Sequence, residues 1–371
     1  SGAEVGLHYQ LHRGIGVHQW KAQRKQVPFK VSCFVGGPPS HALAAVMPLP
    51  EGMSETAFAG VLGRRRFRYS YEDGYCLSTD ADFVLCGTVI PDMLKPEGPF
   101  GDHLGYYSLQ HDFPVLRLYK IFARRHAIWP FTVVGRPPQE DTRFGELIHE
   151  LSGAALQKEI PGLLEIHAVD AAGVHPLLLA IGQERYTPYQ PDQRPAELLT
   201  IANHILGSGQ LSLAKYLFIT EDRSGQLSTH DIAGYFTYLF QLVNWNRDIH
   251  FHTQTSIDTL DYSGNGLNSG SKAVIAACSE ALRTLCLEIP DCIKENRFFR
   301  AVHLVLPGVV AIETKSFHSY EDAEKEMEQL HDIMQPESPQ SFTGIWYRCQ
   351  TLVQRGNHRI ARNRNCNRVG D

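Results

Sequence analysis

Two carboxylates in a segment that cannot be helical are the residues best suited to chemistry. Glu97 and Asp102 lie five positions apart in PEGPFGDHLGYYS (96–108), with Gly98, Pro99 and Gly101 between them. Proline and closely spaced glycines exclude a regular helix, so the spacing predicts a tight loop that holds the two acids near each other. In a shielded cleft such a pair takes separated pKa values, and one group stays ionised while the other donates a proton. A structural turn carrying two incidental acids is the alternative reading. Lys272, beside Gly270 and Ser271 in GNGLNSGSK (264–272), is a point charge among small residues and suits a phosphate clamp. The same string also fits an ordinary helix-start lysine. His250 and His252 alternate onto one face of a predicted strand and read as strand histidines rather than a metal pair.

The elements that must position these residues change character along the chain. In the first third, residues 27–35, 67–71, 83–90 and 113–122 are β-branched and aromatic runs separated by Gly, Pro and Asp, the pattern of a barrel or sandwich. A short helix over 54–62 interrupts them, with Ser54 as N-cap and Phe58, Val61 and Leu62 on one face. After GRPPQED (135–141), Leu147, Ile148, Leu151, Ala155 and Leu156 recur at helical spacing within 144–158. Strand 177–181, a helix from Pro195, strand 216–220 and a helix over 232–243 follow, an alternation that predicts an open α/β domain. The charged helix 320–334 puts Ala323, Met327, Leu330 and Met334 on one side, a packing or subunit face. From Arg355 the tail carries five arginines and one aspartate and reads as solvated. The expected fold class is therefore mixed α/β, with boundaries at 1–142, 143–315 and 316–371.

Composition excludes several classes of function. A formal charge of -5 argues against general nucleic-acid binding. Eight cysteines without a C-x-x-C pair argue against a zinc ribbon or redox disulfide and predict reduced thiols. No apolar run reaches the roughly 18 residues of a membrane span, and the first residues lack a signal-peptide layout. The expectation is a soluble, cytoplasmic protein.

The string E-G-P-F-G-[DE]-x-x-G-Y-Y, matched at every position by residues 97–107, resembles the hallmark of the UbiD-like decarboxylases. The similarity continues through GGPPSHALAAVMPLPEGMSETAFAG (36–60), DADFVLCGTV (80–89), GRPPQED and GNGLNSGSK, from about residue 6 to about 315. It implies that residues 1–142 form a split β-barrel flavin-binding domain ahead of the α/β domain. It also implies reversible, non-oxidative decarboxylation of an aromatic or α,β-unsaturated acid, of hydroxybenzoate type as in ubiquinone or menaquinone biosynthesis. The implied cofactors are prenylated FMN with Mn2+ or Mg2+, and K+ as a further cation. A flavin prenyltransferase would supply the flavin, and a homo-oligomer is the implied assembly.

Residue by residue, the resemblance casts Glu97 and Asp102 as the two carboxylates of the family's Glu-Arg-Glu network, with Asp102 as the acid that protonates the carbon left by CO2. His12 and Glu55 match ligands of the divalent metal, Lys272 the lysine on the flavin phosphate, and Met47 and Pro48 positions beside flavin and substrate. Taken singly, His12 reads as a surface histidine and Glu55 as a helix-dipole partner. The family's N-x-G-x-x-R motif, which carries the third metal ligand and the network arginine, does not occur in the eleven residues before His12. The implied consequence is weak binding of metal and flavin by this stretch alone. The rival readings are a flavin-binding reductase, which needs no paired carboxylates, and a non-catalytic cofactor-binding fragment or subunit.

Overall fold

The computed structural model describes residues 3–9, 14–47, 49, 52–135, 137–186, 194–264, 266–289, 291–295, 299–314, 318–334 and 344–349. The chain opens with β1 (Glu4–Gly6), α1 (Ile15–Arg24), β2 (Phe29–Val35), α2 (Pro39–Val46) and α3 (Glu55–Leu62). It continues with β3 (Tyr69–Glu72), β4 (Tyr75–Ser78), β5 (Phe83–Glu97) and β6 (His111–Ala123). Four of these strands form an antiparallel sheet in the order β1-β6-β5-β2, while β3 and β4 pair with each other. Among the described residues the four-stranded sheet ends at β1 and β2 and does not close on itself. Ser54 caps α3 as expected, its Oγ accepting the Ala57 N–H at 3.3 Å.

The expected strand 83–90 proves longer. After an irregularity between Val89 and Leu94, β5 resumes pairing with β6, and Glu97 sits directly opposite His111. Pro91 and Pro96 obscure this extension in the sequence, because proline usually marks a strand's end. A bulge absorbs the first of them.

The second unit runs α4 (Glu140–Glu159), β7 (Leu163–Ala168), β8 (Leu177–Gly182), α5 (Ala196–Gly207), β9 (Tyr216–Glu221), α6 (Ile232–Leu242), β10 (Ile249–Thr255) and β11 (Gly270–Ala277). Its sheet order is β10-β11-β9-β8-β7, with β8, β9 and β11 parallel and the edges β7 and β10 antiparallel. Strand alternation divides the core. Leu178, Ala180, Leu217, Ile219, Val274 and Ala276 pack on one face with α5. Leu177, Leu179, Ile181, Ala273, Ile275 and Ala277 pack on the other with α6. Every residue of β8 is buried, as befits a strand covered by helices on both faces. Lys272 lies on β11, paired with His252 of β10, so the helix-start alternative does not hold.

The last elements are α7 (Asp291–Lys294), β12 (Ala301–Leu306), β13 (Val309–Thr314), α8 (Tyr320–Met334) and β14 (Gly344–Cys349). Leu330 is buried and Met327 packs beside it against Ile293, Phe299, Val310 and Ile312, so this part of the stripe on α8 serves the chain's own core. The arginine-rich tail lies outside the described residues. Cys33, Cys76, Cys86, Cys278 and Cys286 are free thiols, and no described helix is long and apolar enough to cross a membrane.

Candidate functional site

The connection between β5 and β6 carries the two acids. Glu97 is the last residue of β5 rather than part of the loop proper, and Gly98 turns the chain with φ +89°. A Cβ on Gly98 would lie 2.8 Å from Ser108 Oγ and 2.9 Å from the Leu109 carbonyl oxygen, so only glycine fits. Buried Ser108 ties the loop's ends together: its Oγ accepts the Phe100 N–H at 3.0 Å, and its own N–H donates to the Phe100 carbonyl at 2.8 Å. Gly98→Ala is expected to lower stability by about 1–3 kcal/mol through strain at this turn. Chemical denaturation checks it; an unchanged midpoint would show that the turn relaxes freely.

Neighbouring strands place histidines around Glu97. Its Oε2 is 2.9 Å from His8 Nδ1 and 3.6 Å from His111 Nε2. His8 follows β1, stacks on Phe113 with ring centroids 4.8 Å apart, and reaches Glu97 because β6 lies between β1 and β5. Sequence reasoning misses these histidines. The signal that could find them is sheet register, which requires the strand pairing to be known.

Asp102 faces the α/β unit. The turn before β8 and the connection between β10 and β11 both lie at the end of the second sheet where its parallel strands begin, and both press on the loop. A Cβ on Gly173 would come within 3.1 Å of Leu104 Cα, and the Tyr106 hydroxyl donates to the Leu260 carbonyl at 3.0 Å. His103 thereby spans two acids. Its Nδ1 is 3.1 Å from Asp102 Oδ2, and its Nε2 is 3.3 Å from Oδ2 of buried Asp258. Burial disfavours an imidazolium, but the contacts with Asp102 and Asp258 outweigh it and push His103 up to about 10. Burial likewise opposes ionisation of Asp258, yet the close contact with His103 holds its carboxyl well below the usual range.

Tyr262 joins the two halves of the site. Burial raises its phenol, and the charges of Asp102 and, more weakly, Glu97 add to this against Leu109 and Ser108, which lower it. Glu97 and Asp102 contact different histidines, and Tyr262 from the second unit lies within electrostatic range of both.

The other expected site residues are more dispersed. Glu55 is exposed in the first turn of α3, and Met47 is half-buried at the end of α2. Lys272 is buried, its ammonium donating to the Ser212 carbonyl. His12 and Pro48 lie outside the described residues. Glu55 offers a hard carboxylate and Lys272 an ammonium, donor types that suit a divalent cation and a phosphate respectively. A cleft of about 450 Å³ opens elsewhere, between α4 and β7, lined by Glu146, Glu150, Glu165, His167 and His230 among others. It does not coincide with the paired acids.

Comparison with known proteins identifies the family and the fold. The family model of the 3-octaprenyl-4-hydroxybenzoate carboxy-lyase Rift-related domain matches residues 1–137, and that of the same lyase's C-terminal domain matches residues 142–277. A Chlamydia pneumoniae protein, named as one subunit of a 4-hydroxybenzoate decarboxylase, is 38% identical over 283 residues, 76% of this chain and 47% of its own. The chain therefore spans about half the length of the curated relatives it matches. Among solved structures, the closed form of vanillic acid decarboxylase from Sedimentibacter hydroxybenzoicus superposes with a TM-score of 0.65 at 20% identity, covering 89% of this chain and 63% of that one. The UbiD-class enzyme HmfF from Pelotomaculum thermopropionicum, solved with FMN, gives 0.57 at 17% identity over 78% and 63%. At these identities the likeness is one of fold.

Proposed function

The chain belongs to the UbiD family of carboxy-lyases, and on that premise we propose that the full-length protein decarboxylates an aromatic or α,β-unsaturated acid with prenylated FMN. One observation carries this reading: Glu97 and Asp102 flank one tight glycine-proline turn and each is contacted by a histidine. A flavin reductase has no use for that arrangement. The four-stranded sheet with its β3–β4 hairpin is read as the split barrel that receives the flavin, in a domain ending near residue 142. The α/β domain follows to about residue 315, with α8 and the tail beyond it. His12 and Glu55 would hold Mn2+ or Mg2+, Lys272 would hold the flavin phosphate, and Met47 and Pro48 would line the reacting end.

When bound, prenylated flavin supplies the electron sink for the pair left by C–C cleavage. The chain's own part is positioning and proton transfer. Asp102 hands its proton to the carbon that CO2 has vacated and recovers one from solvent. Glu97, gripped by His8, supplies a fixed carboxylate on the other side of the loop. The acid is proposed to be of hydroxybenzoate type, which would place the reaction in ubiquinone or menaquinone biosynthesis. A cytoplasmic homo-oligomer supplied by a flavin prenyltransferase, with K+ as a further cation, completes the proposal.

The test is to co-express the full-length protein with a flavin prenyltransferase and follow loss of 4-hydroxybenzoate and related acids by chromatography. Turnover that depends on the prenylated flavin is expected. Intact flavin-loaded protein that converts no aromatic or unsaturated acid, yet is reduced rapidly by a nicotinamide cofactor, would establish the reductase reading instead.

A further inference from the structure

We propose that His103, His175 and Asp258 form a second divalent-cation site, of the zinc class, at the seam between the β5–β6 loop and the α/β unit. It shares no residue with the cation site assigned above to His12 and Glu55. One potential ligand atom from each of the three residues lies within 4.8 Å of the other two. Two imidazoles and a carboxylate are a zinc donor set, and bonds of about 2.0–2.1 Å in tetrahedral array put neighbouring ligand atoms roughly 3.3–3.4 Å apart. The separation of 3.3 Å between His103 Nε2 and Asp258 Oδ2 already matches one such edge. The His103 and His175 rings meet edge-on with centroids 5.4 Å apart, so small ring rotations bring the remaining donor to the same point.

The surroundings have the form of a built site. The three ligands come from three chain segments: the β5–β6 loop, the turn before β8 and the β10–β11 connection. Asp258 is only 3% exposed, and the contact of Gly173 with Leu104 holds the segments together. His103 Nε2 is buried and makes no hydrogen bond of normal geometry, although Asp258 lies in front of it. Its other nitrogen, Nδ1, is 3.1 Å from Asp102. A metal-bound histidine ligates through one nitrogen and sets the other beside a carboxylate, and Asp102 is so placed on the far side of His103. Buried Asp258 offsets one of the cation's two charges, and both imidazoles bind it in the neutral form. Three protein ligands leave a fourth position for water.

Equilibrium dialysis of metal-stripped, full-length protein against Zn2+, read by elemental analysis, tests the site. Wild type and Glu55→Gln are expected to retain zinc at this site, while His175→Asn and Asp258→Asn lose one equivalent per chain relative to wild type. Asp102→Asn, which removes only the outer carboxylate, should weaken the same equivalent by about 10–100-fold. Because a variant could misfold, Co2+ substitution of the wild type provides an independent reading. Intense visible bands of a four- or five-coordinate ion, surviving in Glu55→Gln, are expected. Zinc content equal in wild type, His175→Asn and Asp258→Asn, or cobalt bands lost with Glu55→Gln, would overturn the proposal. These measurements read metal and not turnover, so they stand whether or not the decarboxylase reading does.

Discussion

Asp102→Asn in the flavin-loaded, full-length protein is expected to lower decarboxylation by about 10²–10⁴-fold, the usual worth of a positioned acid or base. The substitution preserves the size of the side chain and removes the titratable proton, together with the charge that faces His103. Flavin content should change little, because the groups assigned to the cofactor are His12, Glu55 and Lys272. Exchange of the product's C–H with deuterated solvent runs through the same proton transfer and should fall in parallel. Both rates can be measured on one preparation, the first by loss of acid and the second by mass spectrometry. Exchange near the wild-type rate in an intact holoenzyme would remove Asp102 from the role and make Glu97 the acid.

The second large effect is on stability. Asp258→Asn leaves His103 facing an amide where it faced a buried carboxylate. Removing one partner of a buried charged pair costs about 3–5 kcal/mol, and urea denaturation of the metal-free protein near pH 6 should register a loss of that size. The pH dependence has a definite sign. Asp258 is depressed in the folded protein, so its contribution is complete above the ordinary carboxylate pKa and fades as pH falls through the folded value. His103 is raised to about 10, so its contribution is complete below the ordinary imidazole pKa and fades as pH climbs towards that value. The gap between wild type and variant should therefore be widest between about pH 4 and 6.5. A gap that stayed constant from pH 4 to 10 would mean that packing of the β10–β11 connection, and not the ion pair, is what the variant loses.

Much of the scaffold is legible along the chain. Local signals place α3, α4, α5, α6 and α8 within a few residues: apolar stripes at a 3.6-residue repeat mark α3, α4 and α8, and Pro195 marks the start of α5. The Ser54 cap and the continuous apolar run of β8 are equally local. Strands β1, β7 and β12 escape such a reading, since three to six residues of mixed polarity leave no pattern that pairing does not supply. The length of β5 is hidden for the same reason. Only its hydrogen-bonded partner β6 reveals that the strand survives two prolines and delivers Glu97 opposite His111.

The candidate site divides along the same line. Composition of the 96–108 segment is enough to foresee a tight loop with two acids, because Gly98, Pro99 and Gly101 restrict backbone conformation whatever surrounds them. The partners of those acids cannot be foreseen. His8 lies 89 positions from Glu97, Asp258 lies 155 from His103, and Tyr262 belongs to the connection between two strands of a different sheet. They meet because β6 joins β1 to β5 and because the second sheet presents the ends of its strands to the loop. The chain's chemistry-bearing residue types are thus written in order along the sequence. Which imidazole faces which carboxylate is decided by tertiary packing, since Coulombic and desolvation effects act over ångströms in space and are blind to separation along the chain.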